Sequence, residues 1–121
     1  MIDQPWPVRG RGPEVIPHLV ARLDAGEFAE TIRINYPLDT RGRARLELLL
    51  KVQLVVSAVL AEELGLDLRT ELLGRHAVGQ ERYGMALRPG NGRNALRDGL
   101  EEGLDQCAYL QQALLELEGR R

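Results

Sequence analysis

The sequence predicts an all-α fold, a helical bundle completed by homo-oligomerisation, and three observations lead there. Apolar residues recur three and four apart along several segments, the repeat of a helix with a buried face. Those segments stop at glycine or proline and restart beside Asp, Asn or Thr, residues that end and cap helices. No alternating strand pattern competes, and one segment is apolar on more sides than a chain of 121 residues has material to cover.

Residues 1–12 hold Pro5, Pro7, Gly10 and Gly12 among polar residues, the composition of an irregular arm. Trp6 is either an anchor or a side chain packed against the body. Residues 13–121 are expected to form a single all-α domain, because the length suits one core and not two. Val15, Ile16, Leu19, Val20 and Leu23 share a helical face that Gly26 closes, with the helix kinked or started late at Pro17. His18 lies on or beside that face and is assigned no chemistry. EFAETIRIN adds a further turn or two of helix, and Pro37 with Asp39 or Thr40 places a break at 35–40.

In residues 41–64, Leu46, Leu49, Leu50, Val52, Leu54, Val55, Val56, Val59 and Leu60 spread over more than one face. Such a helix is enclosed on several sides, part of it in a homodimer interface. A buried strand over VQLVVSAVL is the alternative, but the flanking charged helix formers and the length of the run favour helix. Gly65 stops this helix, Asp67 caps the next, and LRTELLGRHAVGQERYG runs to Gly84. Pro89, Gly90, Asn91 and Gly92 make a turn. The last helix spans about Asn94 to Glu118, with Leu96, Leu100, Leu104, Cys107, Leu110 and Leu114 as its packed face.

Composition narrows the function classes. Apolar residues at 44% and charged residues at 28% are ordinary for a soluble globular protein. A net charge of −2 gives no basic field for a nucleic-acid polymer. Fifteen of the sixteen basic residues are Arg, a bias that fits either a GC-rich genome or a local phosphate site. Cys107 is the single cysteine, so no internal disulfide and no zinc pattern arise, and a small buried side chain is its expected role. The first residues lack the apolar run of a signal peptide, and no stretch reaches the ~18 apolar residues of a membrane span. A cytoplasmic protein without membrane contact is expected.

One stripe resists this ordinary reading. Asp98, Glu102, Asp105 and Tyr109 are four, three and four apart, so they rise together along the last helix. Like charges at that spacing repel, so they stand in water, balanced by Arg93 and Arg97, or share a cation. Gly99 and Gly103 lie beside them, each costing about 1 kcal/mol relative to alanine in a helix, which implies a close approach by a helix or ligand. Carboxylates so spaced can hold Mg²⁺, or Mn²⁺, against a nucleotide polyphosphate. Arg82 and Arg93 are the candidates for phosphate contact through their forked donors, or they pair with Glu101 or Glu81. Tyr83 either stacks on a base or packs under the loop, and Asn91 with Gly92 fixes the turn.

The preceding segment adds a resemblance over residues 71–115. Arg82-Tyr83-Gly84, Leu87, Asn91-Gly92-Arg93, Ala95-Leu96, Asp98, Glu102, Asp105 and Tyr109 resemble a pattern in small, often phage-encoded relatives of the MazG-like nucleotide pyrophosphohydrolases. The arm PWPVRGRGPEV is similar to theirs as well. The resemblance implies an all-α oligomer that splits a nucleoside triphosphate into a monophosphate and pyrophosphate, and a homodimer or homotetramer is expected. Two carboxylate pairs bind Mg²⁺ in that family. Glu102 and Asp105 match one pair, and Glu71 matches half of the other, whose second member falls on Gly74. Asp98 or Glu101 is then the group that assists the attacking water. Asn94 stands where the pattern prefers Asp, and with Gly74 it removes two carboxylates. The alternative is therefore a catalytically impaired nucleotide-binding or protein-interaction module on the same fold.

Overall fold

Helix-forming runs punctuated by glycine give five helices: α1 (Val15–Asp24), α2 (Ala29–Asn35), α3 (Gly42–Glu63), α4 (Leu68–Tyr83) and α5 (Ala95–Gly119). They are seen in a computed structural model that describes residues 4–35 and 41–119. The fold is all-α, with no strand among the described residues. The break expected at 35–40 lies mainly outside them. No helix among them is long and apolar enough to cross a membrane. The chain divides into two compact units, one of Met1–Ile34 with Asn94–Arg121 and one of Asn35–Arg93.

In the first unit α1 packs on α5. Pro17 sits in the first turn of α1, where a missing N–H costs nothing, and the helix starts two residues ahead of it. The backbone ladder begins with the His18 N–H donating to the Glu14 carbonyl at 3.1 Å. At the other end the Ala25 and Gly26 N–H groups donate to Ala21 and Leu23, with Gly26 at φ 78°. Val15, Leu19 and Arg22 are half-buried, whereas Ile16, Val20 and Leu23 are exposed, so the apolar face splits in two.

Arg22 keys the contact. Its Nη1 donates to Oε1 of Gln111, which is only 4% exposed, and its Nε donates to Glu27 at 3.2 Å. The guanidinium also lies 4.7 Å from the Phe28 ring centroid, an arrangement that attracts a cation to the ring face. A buried amide thus stands where the leucine repeat of α5 predicts an apolar side chain, and it is satisfied by a charged donor.

In the second unit α3 packs on α4. Their connection is built from local hydrogen bonds. Gly65 at φ 68° lets its own N–H reach the Glu62 carbonyl at 3.0 Å while the Leu66 N–H reaches Ala61 at 2.8 Å. These two bonds occupy carbonyls that the end of a helix otherwise leaves unpaired. Asp67 then caps α4, accepting from the Thr70 N–H at 2.9 Å and the Thr70 hydroxyl at 2.8 Å. Those bonds hold its carboxyl below the usual aspartate range, the backbone bond foremost and the hydroxyl bond second, against a small opposing effect of burial. At the far end Gly84 takes the left-handed conformation, φ 70°, and its N–H returns to Gln80 at 2.8 Å.

Neither unit closes a core. Ala61 is the one buried apolar residue among those described. Along α3, Leu46, Leu49, Leu50, Val52, Val55 and Val59 are all about half exposed or more. Full burial of such a side chain contributes roughly 1.5–3 kcal/mol, so these six leave on the order of 5–10 kcal/mol ungained. That is comparable with the whole stability of a small domain, ~5–15 kcal/mol.

Candidate metal and phosphate site

The carboxylate stripe is set by how α5 begins. Asn94 precedes the helix and its Oδ1 accepts the Arg97 N–H at 3.0 Å, while its carbonyl accepts the Asp98 N–H at 3.0 Å. Asp98 therefore falls in the first turn, where a negative charge is favoured by the helix dipole. From there the helical repeat carries Glu102 and Asp105 up one side. Both are exposed, and among the described residues neither has a side-chain hydrogen bond or ion pair. Asp98 is half-buried and has a partner. Glu101 accepts Arg97 Nε at 3.0 Å, one turn along the helix. Arg97 thus supplies the balance expected for the acidic face, but to Glu101, the member outside the stripe.

The surroundings of the stripe narrow one expectation and correct another. A methyl group added at Gly99 or Gly103 would meet open space, so among the described residues no helix of the chain makes the close approach that two helical glycines imply. Leu96, Leu100 and Leu104, expected on the packed face, are 67%, 51% and 58% exposed, and Cys107 is exposed as well. Gln111, seven residues beyond Leu104 on the same side of α5, is covered by α1 through Arg22, and nothing among the described residues covers the part of that side that carries Leu96, Leu100 and Leu104.

The loop candidates lie in the second unit. Asn91 Oδ1 accepts the Arg93 N–H at 3.1 Å, and Gly90 and Gly92 take φ values of 70° and 84°, so Asn91 does fix the turn. Tyr83 is exposed and not packed under the loop; the Arg82 guanidinium lies 5.8 Å from its ring centroid. Glu71 is in the first turn of α4, half-buried, in the lining of a groove of about 300 Å³ whose walls include Leu60, Ala61, Leu64 and Leu72. No motif or spacing in the sequence marks this groove. Its only local signal is the run Leu64, Leu66, Leu68 around the Gly65 stop, which places leucines at the α3–α4 junction. At Gly74, one turn beyond Glu71, a Cβ would again meet open space.

Among the described residues no three His, Cys, Asp or Glu side chains converge to hold a metal ion. Magnesium does not need such a cage, because it retains waters and is commonly held by one or two carboxylates plus substrate phosphates. Glu102 and Asp105, three residues apart on one exposed helix face, fit that partial role. Compared with protein-family models, with curated proteins and with solved structures, the chain matches none.

Proposed function

We propose that the protein is a magnesium-dependent nucleoside triphosphate pyrophosphohydrolase of the MazG-like kind, releasing a (d)NMP and pyrophosphate. The observation that carries this reading is the pairing pattern on α5: Glu101 is paired with Arg97, while Glu102 and Asp105 are exposed with no basic side chain paired to them among the described residues. Like charges one turn apart repel, and a divalent ion would offset that repulsion here as Arg97 offsets Glu101. Glu102 and Asp105, with Glu71, hold Mg²⁺ or Mn²⁺, which when bound neutralises phosphate charge. Asp98 or Glu101 accepts the proton of the attacking water. Arg82 and Arg93 contact phosphate oxygens, a task suited to forked guanidinium donors, with Tyr83 and Asn91 shaping the nucleoside side.

The working form is a homodimer or homotetramer in the cytoplasm, for the α3 side chains left half exposed have apolar area to bury against a second copy. The test of the activity is incubation of the folded protein with canonical and modified deoxynucleoside triphosphates and Mg²⁺ or Mn²⁺, following pyrophosphate release. Absence of release from the whole panel overturns it.

A second reading, a nucleotide-binding or interaction module without turnover, is favoured by Gly74 where a fourth carboxylate is expected and by the lack of any three-carboxylate group among the described residues. Calorimetry separates the two. Nucleotide binding of equal strength with and without Mg²⁺, and no turnover, selects the module.

A further inference from the structure

Glu71 and Arg75 stand one turn apart on α4, and both line the α3–α4 groove. Opposite charges at this spacing pair readily, and an acid that precedes its base does so better than the reverse. Elsewhere in the chain Arg43 and Glu47 close to 3.4 Å, and Arg97 and Glu101 to 3.0 Å, both in the weaker order. Glu71 and Arg75 have the stronger order and stay open. Among the described residues neither side chain makes a hydrogen bond or an ion pair.

An open acid and an open base on one groove are matched by a bound species that carries both signs of charge. A divalent cation with a phosphate chain does so, since the cation offsets a carboxylate and phosphate oxygens take the forked donors of a guanidinium. Position along the helix selects Arg75 for the second task. At a rise of about 1.5 Å per residue it lies about 6 Å along from Glu71, whereas Arg82 lies about 16 Å along and meets the substrate further on. The apolar walls, Leu60 and Leu72 with the buried Ala61, lower the amount of water beside the pair, and charge contacts strengthen there relative to open solvent.

We propose that Arg75 is a substrate-contact residue that holds oxygens of the pyrophosphate portion while Glu71 serves the cation. The proposal rests on the pyrophosphohydrolase reading and adds to it a third guanidinium besides Arg82 and Arg93.

Calorimetry of the full chain with inorganic pyrophosphate and Mg²⁺ reads this contact without turnover. Wild type should bind, and Arg75→Gln should weaken binding at least about tenfold, the loss of one charge-assisted contact. Arg75→Lys keeps the charge but not the fork and should recover part of that loss. Arg69→Gln removes the same charge outside the groove lining and should bind like wild type. Arg69 and Arg75 are exposed, so all three variants should keep the helical circular dichroism signal. A free amino acid also carries both charges, and added leucine should leave pyrophosphate binding unchanged; displacement by leucine assigns the pair to a zwitterion and overturns the proposal. No binding by wild type overturns it too, as does equal weakening by Arg69→Gln and Arg75→Gln. Release of pyrophosphate from a nucleotide by wild type, with Arg75→Gln binding pyrophosphate equally well, overturns the Arg75 assignment and leaves the hydrolase reading standing. Weakened binding in Arg75→Gln with no release from any nucleotide keeps the assignment and removes the hydrolase reading.

Discussion

Replacing Gln111 with methionine removes the acceptor for Arg22 while keeping side-chain volume, and the structure fixes what that should cost. Gln111 is 4% exposed and the Arg22 side chain 27%, so the bond is shielded from water. A hydrogen bond from a charged donor contributes ~1.5–3 kcal/mol. Arg22 retains Glu27 and the Phe28 ring, so it is not left wholly without partners, and the loss falls toward the lower end, about 1.5 kcal/mol. With a urea slope of roughly 1.5 kcal/mol/M, the midpoint should drop by about 1 M. The assay is urea unfolding by circular dichroism at one fixed protein concentration, because self-association would otherwise shift the midpoint. Arg22→Met together with Gln111→Met should lose less than the two single changes combined, since neither polar group is then stranded. An unchanged midpoint for Gln111→Met, or strict additivity of the pair, refutes the claim that this bond keys α1 to α5.

Three further outcomes follow from the same geometry. Asn94→Ala should weaken the start of α5 by ~0.5–2 kcal/mol, whereas Asn94→Asp should keep the cap, as urea midpoints will report. Because hydrogen bonds from Thr70 lower the Asp67 pKa, its cap contribution is complete above the ordinary value of 3.8 and is lost as pH falls below it through the folded value; Asp67→Asn should flatten that acid-side loss of helical signal. Val55→Glu, on a part of α3 that is 63% exposed in the single chain, should leave helix content intact and lower the mass seen by light scattering; an unchanged mass would place the association surface elsewhere.

Helix ends were legible from the sequence because they are set by nearest neighbours. Gly65 and Gly84 do adopt the positive φ that a helix stop requires, and Asp67 and Asn94 accept the backbone N–H three residues on. What was hidden is the inward side of each helix. The leucine stripe of α5 is visible in the sequence, but periodicity says which side is apolar and not what covers it. Here Gln111 is inward because of Arg22, 89 residues away, a pairing with no local signature. The same holds for the candidate site. The stripe of Asp98, Glu102 and Asp105 follows from spacing alone, whereas the pairing of Arg97 with Glu101 and the place of Glu71 in an apolar groove depend on side-chain rotamers and on how α3 meets α4, which spacing does not encode.

Whether Glu102 and Asp105 are ligands of a divalent cation is tested most directly by a magnesium titration of pyrophosphate release by wild type and Asp105→Asn. Wild type should release pyrophosphate and the variant should need a half-saturating Mg²⁺ concentration raised at least about tenfold, a loss of ~1.4 kcal/mol, with an unaltered urea midpoint because Asp105 is exposed. Superimposable titration curves for the two proteins would contradict it.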